Sequence, residues 1–180
     1  MEFNQEQQKR LLALARSSLE RAAGIGSGPR PGPDPEFRQK RGAFVSLHRH
    51  GQLRGCIGTF AADKPLEDTV WEMARAAAVH DPRFRPLGAD ELPGLEVEIS
   101  VLSPLYKSAP QEVEVGRHGI FIISPRGRGV LLPQVAVQYG WDRLTFLGQA
   151  CRKAGLPSEA WKDEDVEVWL FTAQVFGEEI

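Results

Sequence analysis

The chain has 180 residues, 42% of them hydrophobic, with Lys+Arg 22 against Asp+Glu 24 and a formal net charge of -2. That length fits one compact domain or two small lobes, and the charge balance removes the overall basic character expected of a nucleic-acid-binding domain. No apolar run approaches the roughly 18 residues a membrane helix needs, and two cysteines with no leader segment fit a reducing, cytoplasmic setting.

Asn4 is a good N-cap, with Gln7 three residues on in capping-box position. Leu11, Leu12, Ala15 and Leu19 then recur at helical spacing, so an amphipathic helix is expected to end near Gly24. Gly24 to Asp34 is dense in Gly and Pro and reads as an irregular crossing loop.

Two β-hairpins follow, over 42–58 and 119–132. Phe44 and Phe121 lie 77 residues apart, as do Leu53 and Val130 at the heads of the return strands. Each hairpin leads into a helix. Pro65 presets the first, whose buried stripe is Leu66, Val70, Met73, Ala74 and Ala77. Asp142 caps the second, with Leu144, Leu147, Ala150 and Cys151 inward and Gly155 as its stop. Each helix leads to a strand, Leu95–Val101 and Val166–Leu170, where apolar residues alternate with polar ones. The expected fold class is α+β, with antiparallel sheet flanked by helices and a β-β-α-β unit occurring twice. It is read as a single domain over 1–180, with two sub-lobes at about 1–104 and 105–180.

The charges are unevenly placed. Phe37 to Ala62 and Gly116 to Trp141 contain no Asp or Glu, yet carry Arg38, Lys40, Arg41, Arg49, Arg54, Arg117, Arg126 and Arg128. These windows are the two hairpins. They read either as solvated sheet edges or as local positive surfaces for an anion, an acidic partner or nucleic acid.

Within the first hairpin, Leu53-Arg54-Gly55-Cys56-Ile57-Gly58 is not explained by bulk packing. Strand alternation puts Arg54 and Cys56 on one face, opposite Leu53 and Ile57. Arg54 is read as an exposed side chain of little weight in stability. Gly55 and Gly58 mark a close approach of backbone or ligand. A thiol beside a guanidinium is a candidate nucleophile, with His118 of the second hairpin as candidate base, although cysteine also serves as a small buried hydrophobe. Arg54, Gly55, Gly58, Arg117, His118, Arg128 and Gln134 form the candidate ligand-binding set and Cys56 the catalytic candidate. Arg126-Gly127-Arg128-Gly129 lacks the frame of a phosphate loop and reads as a turn. Asp81-Pro82-Arg83-Phe84 closes the first hairpin's helix, with Asp81 and Arg83 available for pairing, and Trp141 and Asp142 open the later helix. His48 and His50 lie two apart, but no third imidazole has ligand spacing, so neither metal nor cofactor is assigned.

Taken in order, these motifs resemble the AMMECR family, the A component of the AmmeMemoRadiSam system. The matching runs are Gly42–Leu47, Leu53–Gly58, Asp81–Leu87, Glu98–Leu102, Val130–Ala136, Trp141-Asp142, Phe146-Leu147, Cys151 and Lys153–Leu156; Gln138 stands where the family commonly has Glu. The resemblance implies a cytosolic α+β domain that acts with a Memo-like protein and a radical S-adenosylmethionine enzyme. It supplies no settled reaction. Two roles stay open: an accessory or substrate-handling component, presenting an anionic small molecule or peptide or performing a thiol-dependent step, and a non-catalytic interaction module touching nucleic acid or an acidic partner.

Overall fold

The computed structural model describes residues 2–27 and 29–178. Helix α1 (Gln5–Ala22) starts where the sequence places it. Asn4 accepts the Gln7 N–H at 3.0 Å, and the Gln7 side chain accepts the Asn4 N–H at 3.0 Å. Its face of Leu11, Leu12, Ala15 and Leu19 is buried. Burial of that kind is worth roughly 1.5–3 kcal/mol per large side chain, more than propensity alone supplies to a helix of this length.

The chain divides into two compact units, Met1–Leu102 with Gln174–Ile180, and Ser103–Ala173. In the first, strands β1 (Ala43–Arg49) and β2 (Gln52–Thr59) form an antiparallel hairpin. His50 and Gly51 turn it with φ values of 53° and 72°, the left-handed pair of a type I′ turn whose twist suits the strands. Helix α2 (Leu66–Val79) follows, and β3 (Leu95–Leu102) returns antiparallel to β1. Val45, Leu47, Val97 and Ile99 meet α1 and α2 in one core.

The second unit repeats this plan. Strands β5 (His118–Ser124) and β6 (Gly127–Leu131) make a hairpin, and β7 (Glu167–Gly177) pairs with β5 through Glu167–Thr172. A two-residue strand, β4 (Tyr106–Lys107), adds to β7. The α+β class and the doubled hairpin–helix–strand order are as read from the sequence. Where one helix is expected, however, there are two, α3 (Pro133–Gln138) and α4 (Arg143–Lys153). Asp142 does cap α4, accepting the Thr145 N–H at 2.8 Å. Leu144 is not inward: it shares a helical stripe with the buried Leu147, Gly148 and Cys151, yet it sits in the first turn of α4, before the buried stretch begins at Phe146, and is 57% exposed. No helix among the described residues is long and apolar enough to cross a membrane.

Glycine allows close helix–strand contact in both units. A Cβ on Gly55 would lie 2.3 Å from the Ala77 carbonyl oxygen, and one on Gly127 would lie 2.1 Å from that of Ala154. Gly58 and Gly119 are instead covered by the rings of their cross-strand partners Phe44 and Phe171. Gly55→Ala should therefore force α2 off β2 and lower stability in urea unfolding by about 1–3 kcal/mol, while Leu53→Ala two residues away should change it by less than about 0.5 kcal/mol.

Candidate functional site at the edge of β2

β2 has a strand neighbour on one side only, so its other edge needs partners from elsewhere. Cys56 faces Ser46 across the hairpin, and the thiol accepts a hydrogen bond from the Ser46 hydroxyl at 3.2 Å. The backbone of Cys56 points away from β1. Its N–H donates to Asp81 Oδ2 at 2.9 Å, and its carbonyl accepts from Arg83 Nη2 at 3.3 Å. Two side chains thus stand in for a third strand.

They hold each other as well. Arg83 donates to Asp81 through Nε at 3.0 Å, Nη2 at 2.8 Å and its backbone N–H at 3.1 Å. Pro82 at the second position of the Asp81–Phe84 turn presets the bend, closed by Phe84 N–H to the Asp81 carbonyl at 3.1 Å. The Arg83 guanidinium above all, with the Cys56 and Arg83 amides, holds the buried Asp81 carboxyl well below the usual carboxylate range despite desolvation. A carboxylate held that low is a poor proton acceptor at neutral pH.

Arg54 is the residue that the plain strand reading misplaces. Leu47 is opposite Gly55 and His48 opposite Leu53, so Arg54 is the extra residue of a β-bulge. The bulge puts Leu53 on the same face as Cys56, 40% exposed, while Ile57 packs on the core. The Arg54 side chain, 11% exposed, is not a free surface charge. It donates to Glu91 from Nε at 2.7 Å and Nη2 at 3.0 Å, and Nη2 also reaches the Arg85 carbonyl at 3.0 Å. Its guanidinium lies 5.7 Å from the Phe84 ring centroid.

Glu91 sits on a single 3₁₀ turn, is buried, and also accepts the Gly88 N–H at 3.1 Å. Arg54 first, then Gly88 and Arg85, bring its pKa down to about 2 against desolvation. Arg49 and Arg85 approach the same carboxylate at 3.8 and 3.7 Å. Arg54 Nη1 and Arg49 Nε are buried without a hydrogen-bond partner.

Gly55 and Gly58 carry the close approaches described above, from helix backbone and from the Phe44 ring. Arg117, His118, Arg128, Gln134, Trp141 and Asp142 belong to the second unit. There Arg117 pairs with Glu114 at 3.1 Å, and Arg126 with Asp163 and Asp165 at 2.8 and 3.1 Å. His118 is buried; Nδ1 accepts the Glu114 N–H at 3.0 Å, so Nε2 carries the proton and donates to the Tyr106 hydroxyl at 3.2 Å. Arg128 and Gln134 are exposed. Trp141 stacks on Tyr139 at 4.9 Å between centroids. Cys151 is buried, which pushes its thiol pKa up. No group of three or more His, Cys, Asp or Glu among the described residues could hold a metal ion. Glu91, Ser46, Arg49, Phe84 and Arg85 were absent from the sequence-derived set. Between Leu87 and Leu92 the sequence gives no sign that separates Glu91 from its neighbour Asp90.

With both folded-state pKa values below the ordinary 3.9 and 4.3, Asp81 and Glu91 stabilise the fold fully above about pH 5 and lose that contribution as pH falls toward 2. Urea unfolding should show this acid loss. Glu91→Gln, which leaves Arg54 buried without its counter-charge, should cost about 3–5 kcal/mol at pH 7. The gap to wild type should narrow below pH 3. A wild-type stability that is flat between pH 5 and 2 would contradict the pairing.

Comparison with known proteins agrees with this architecture. The AMMECR1 family model matches residues 12–176. A protein of Thermococcus onnurineus is 43% identical over 94% of this chain and 89% of its own length, and Protein PF1979 of Pyrococcus furiosus is 43% identical over 94% and 87%. The crystal structure of the uncharacterized protein PH0010 from Pyrococcus horikoshii superposes with a TM-score of 0.86 at 40% identity, covering 98% of this chain and 94% of that one. A model spanning both units, together with relatives matched along nearly their whole length, makes this chain a member of the AMMECR1 family.

Proposed function

We propose that this chain is the substrate-handling component of a module that also contains a Memo-like protein and a radical S-adenosylmethionine enzyme, acting in the cytoplasm through the edge of β2 at Arg54 and Cys56. One observation supports the reading. Two buried carboxylates, Asp81 and Glu91, are committed to fixing the edge of a single eight-residue strand. Buried ion pairs seldom stabilise a fold more than apolar packing of the same volume, so a strand that needed only to fold would not require them. Their effect is positional: they set the half-buried thiol and the bulged arginine in fixed places.

The thiol's hydrogen-bond partner is a hydroxyl, and the adjacent carboxylate is a weak acceptor, so a contact role for Cys56 fits better than that of an activated nucleophile. The alternative, an interaction module touching nucleic acid or an acidic partner through its basic hairpins, has less support. Arg117 and Arg126 are already paired with acids.

Size-exclusion chromatography of the chain mixed with a Memo-like protein and a radical S-adenosylmethionine enzyme from the same organism tests the proposal. A complex is expected with wild type and with Cys56→Ser, and Cys56→Phe, which fills the edge while leaving the core, should weaken it about tenfold, or 1.4 kcal/mol. Failure of wild type to bind either protein would remove the module reading.

A further inference from the structure

Glu91 is outnumbered. Guanidinium nitrogens of Arg54, Arg85 and Arg49 lie 2.7, 3.7 and 3.8 Å from its carboxylate, so this one carboxylate faces three guanidinium groups; the charge of Asp81 also acts on Arg54, but Asp81 is itself ion-paired with Arg83. Its oxygens are already engaged by Arg54 Nε and Nη2 and by the Gly88 amide. Arg49 and Arg85 stand at ion-pair distance without hydrogen bonds to it. Meanwhile Arg54 Nη1 and Arg49 Nε, both buried, have no acceptor.

An unmet buried donor costs free energy, more when it belongs to a charged group, and each one in a native structure calls for an explanation. Surplus like charge in a partly desolvated cluster adds repulsion, because the local dielectric is below that of water. A single kind of group removes both deficits: an oxyanion brings acceptor atoms and negative charge together. Guanidinium forks match the spacing of carboxylate and phosphate oxygens, which a lone ammonium does not.

We propose that Arg49, Arg54 and Arg85 form the seat of a small oxyanion, the carboxylate or phosphate group of a small-molecule ligand, bound beside Glu91. The exposures give it a floor and a mouth: Arg54 is 11% exposed, Arg49 33% and Arg85 78%. Phe84 fixes the floor, with the guanidinium carbons of Arg54 and Arg83 at 5.7 and 5.5 Å from its ring centroid. Glu91 holds Arg54 in position and keeps the site from binding any passing anion at full strength. The inference deepens the substrate-handling role and rests on it for what the ligand is used for; binding itself is a property of this chain alone.

Calorimetric titration of the full chain, without partners, against inorganic phosphate, malonate and a short single-stranded DNA tests the seat. Phosphate or malonate should bind, with affinity falling as salt rises because the mouth of the site is screened. Arg85→Gln should weaken that binding about tenfold, equivalent to 1.4 kcal/mol, while leaving the unfolding midpoint near wild type because this side chain is mostly exposed. Arg49→Gln should weaken it comparably. If wild type binds neither small anion in a salt-sensitive way, water satisfies the orphan donors and the seat does not exist. If the DNA binds while the small anions do not, the ligand is a nucleic-acid backbone and the small-molecule assignment is overturned. Binding that survives both substitutions unchanged also overturns it. A chain that binds phosphate yet forms no complex with the Memo-like protein or the radical enzyme keeps the seat and loses the module reading, so the two failures are separable.

Discussion

The outer edge of β2 is closed by charge rather than by another strand, and the rest of the first unit is arranged around that closure. Strand edges need partners for their backbone groups, and loops or helices usually cover them. Here the Asp81 carboxylate and the Arg83 guanidinium bond the N–H and the carbonyl of one residue, Cys56, while bonding each other. The clamp works because Pro82 bends the chain between them and because Asp81 is buried, where a charge-assisted hydrogen bond is not diluted by water. Once Cys56 is held from outside, its side chain has one direction left, toward Ser46.

A bulge accompanies this closure. Arg54 is out of register with β1, and this lets its guanidinium run along the edge to Glu91 instead of standing on the face of the sheet. On the opposite face, Gly55 has no side chain because the Ala77 carbonyl occupies that space. A helix can come that near a strand only where no Cβ intervenes. The second unit meets the same requirement with Gly127 and Gly129 under the backbone at Ala154, which lies 77 residues after Ala77. Two units with little identity thus share a packing constraint whose helix-side residues recur at the spacing that relates the hairpins, while the glycines beneath them do not.

Charge placement gives a different lesson. The hairpins lack acids along their own sequence, which reads as two bare positive surfaces. In the fold the counter-charges come from distant segments: Glu91 for Arg54 and Arg49 of the first hairpin, Asp163 and Asp165 for Arg126. Local composition measures neutralisation only between chain neighbours, and folding removes that restriction. What survives is the imbalance at Glu91, where three guanidinium groups converge on one carboxylate and two of their buried N–H groups lack acceptors.

Short-range physics made much of this protein legible from its sequence. The Asn4 capping box, the alternation of Leu95 to Val101, the hairpins and the Asp142 cap all rest on interactions within a few residues, and all are present. The ordered motifs also carried the family. Leu144 has the period of the buried stripe, lying three, four and seven residues before Leu147, Gly148 and Cys151, but it sits in the first turn of α4 and is exposed, since helical period does not say how far along a helix the covering layer reaches. The site was half legible. Arg54, Cys56, Asp81 and Arg83 stood out as residue types, but their pairing did not, since Glu91 lies 37 residues from Arg54 and Asp81 lies 25 from Cys56. Sequence alone determined most of the elements, though not α3 or β4, and marked Arg54, Asp81 and Arg83, though not Glu91, as carriers of charge. Only the tertiary structure decided which charges meet, because a bulge, a proline turn and a helix packed on glycine bring together groups that no local rule connects.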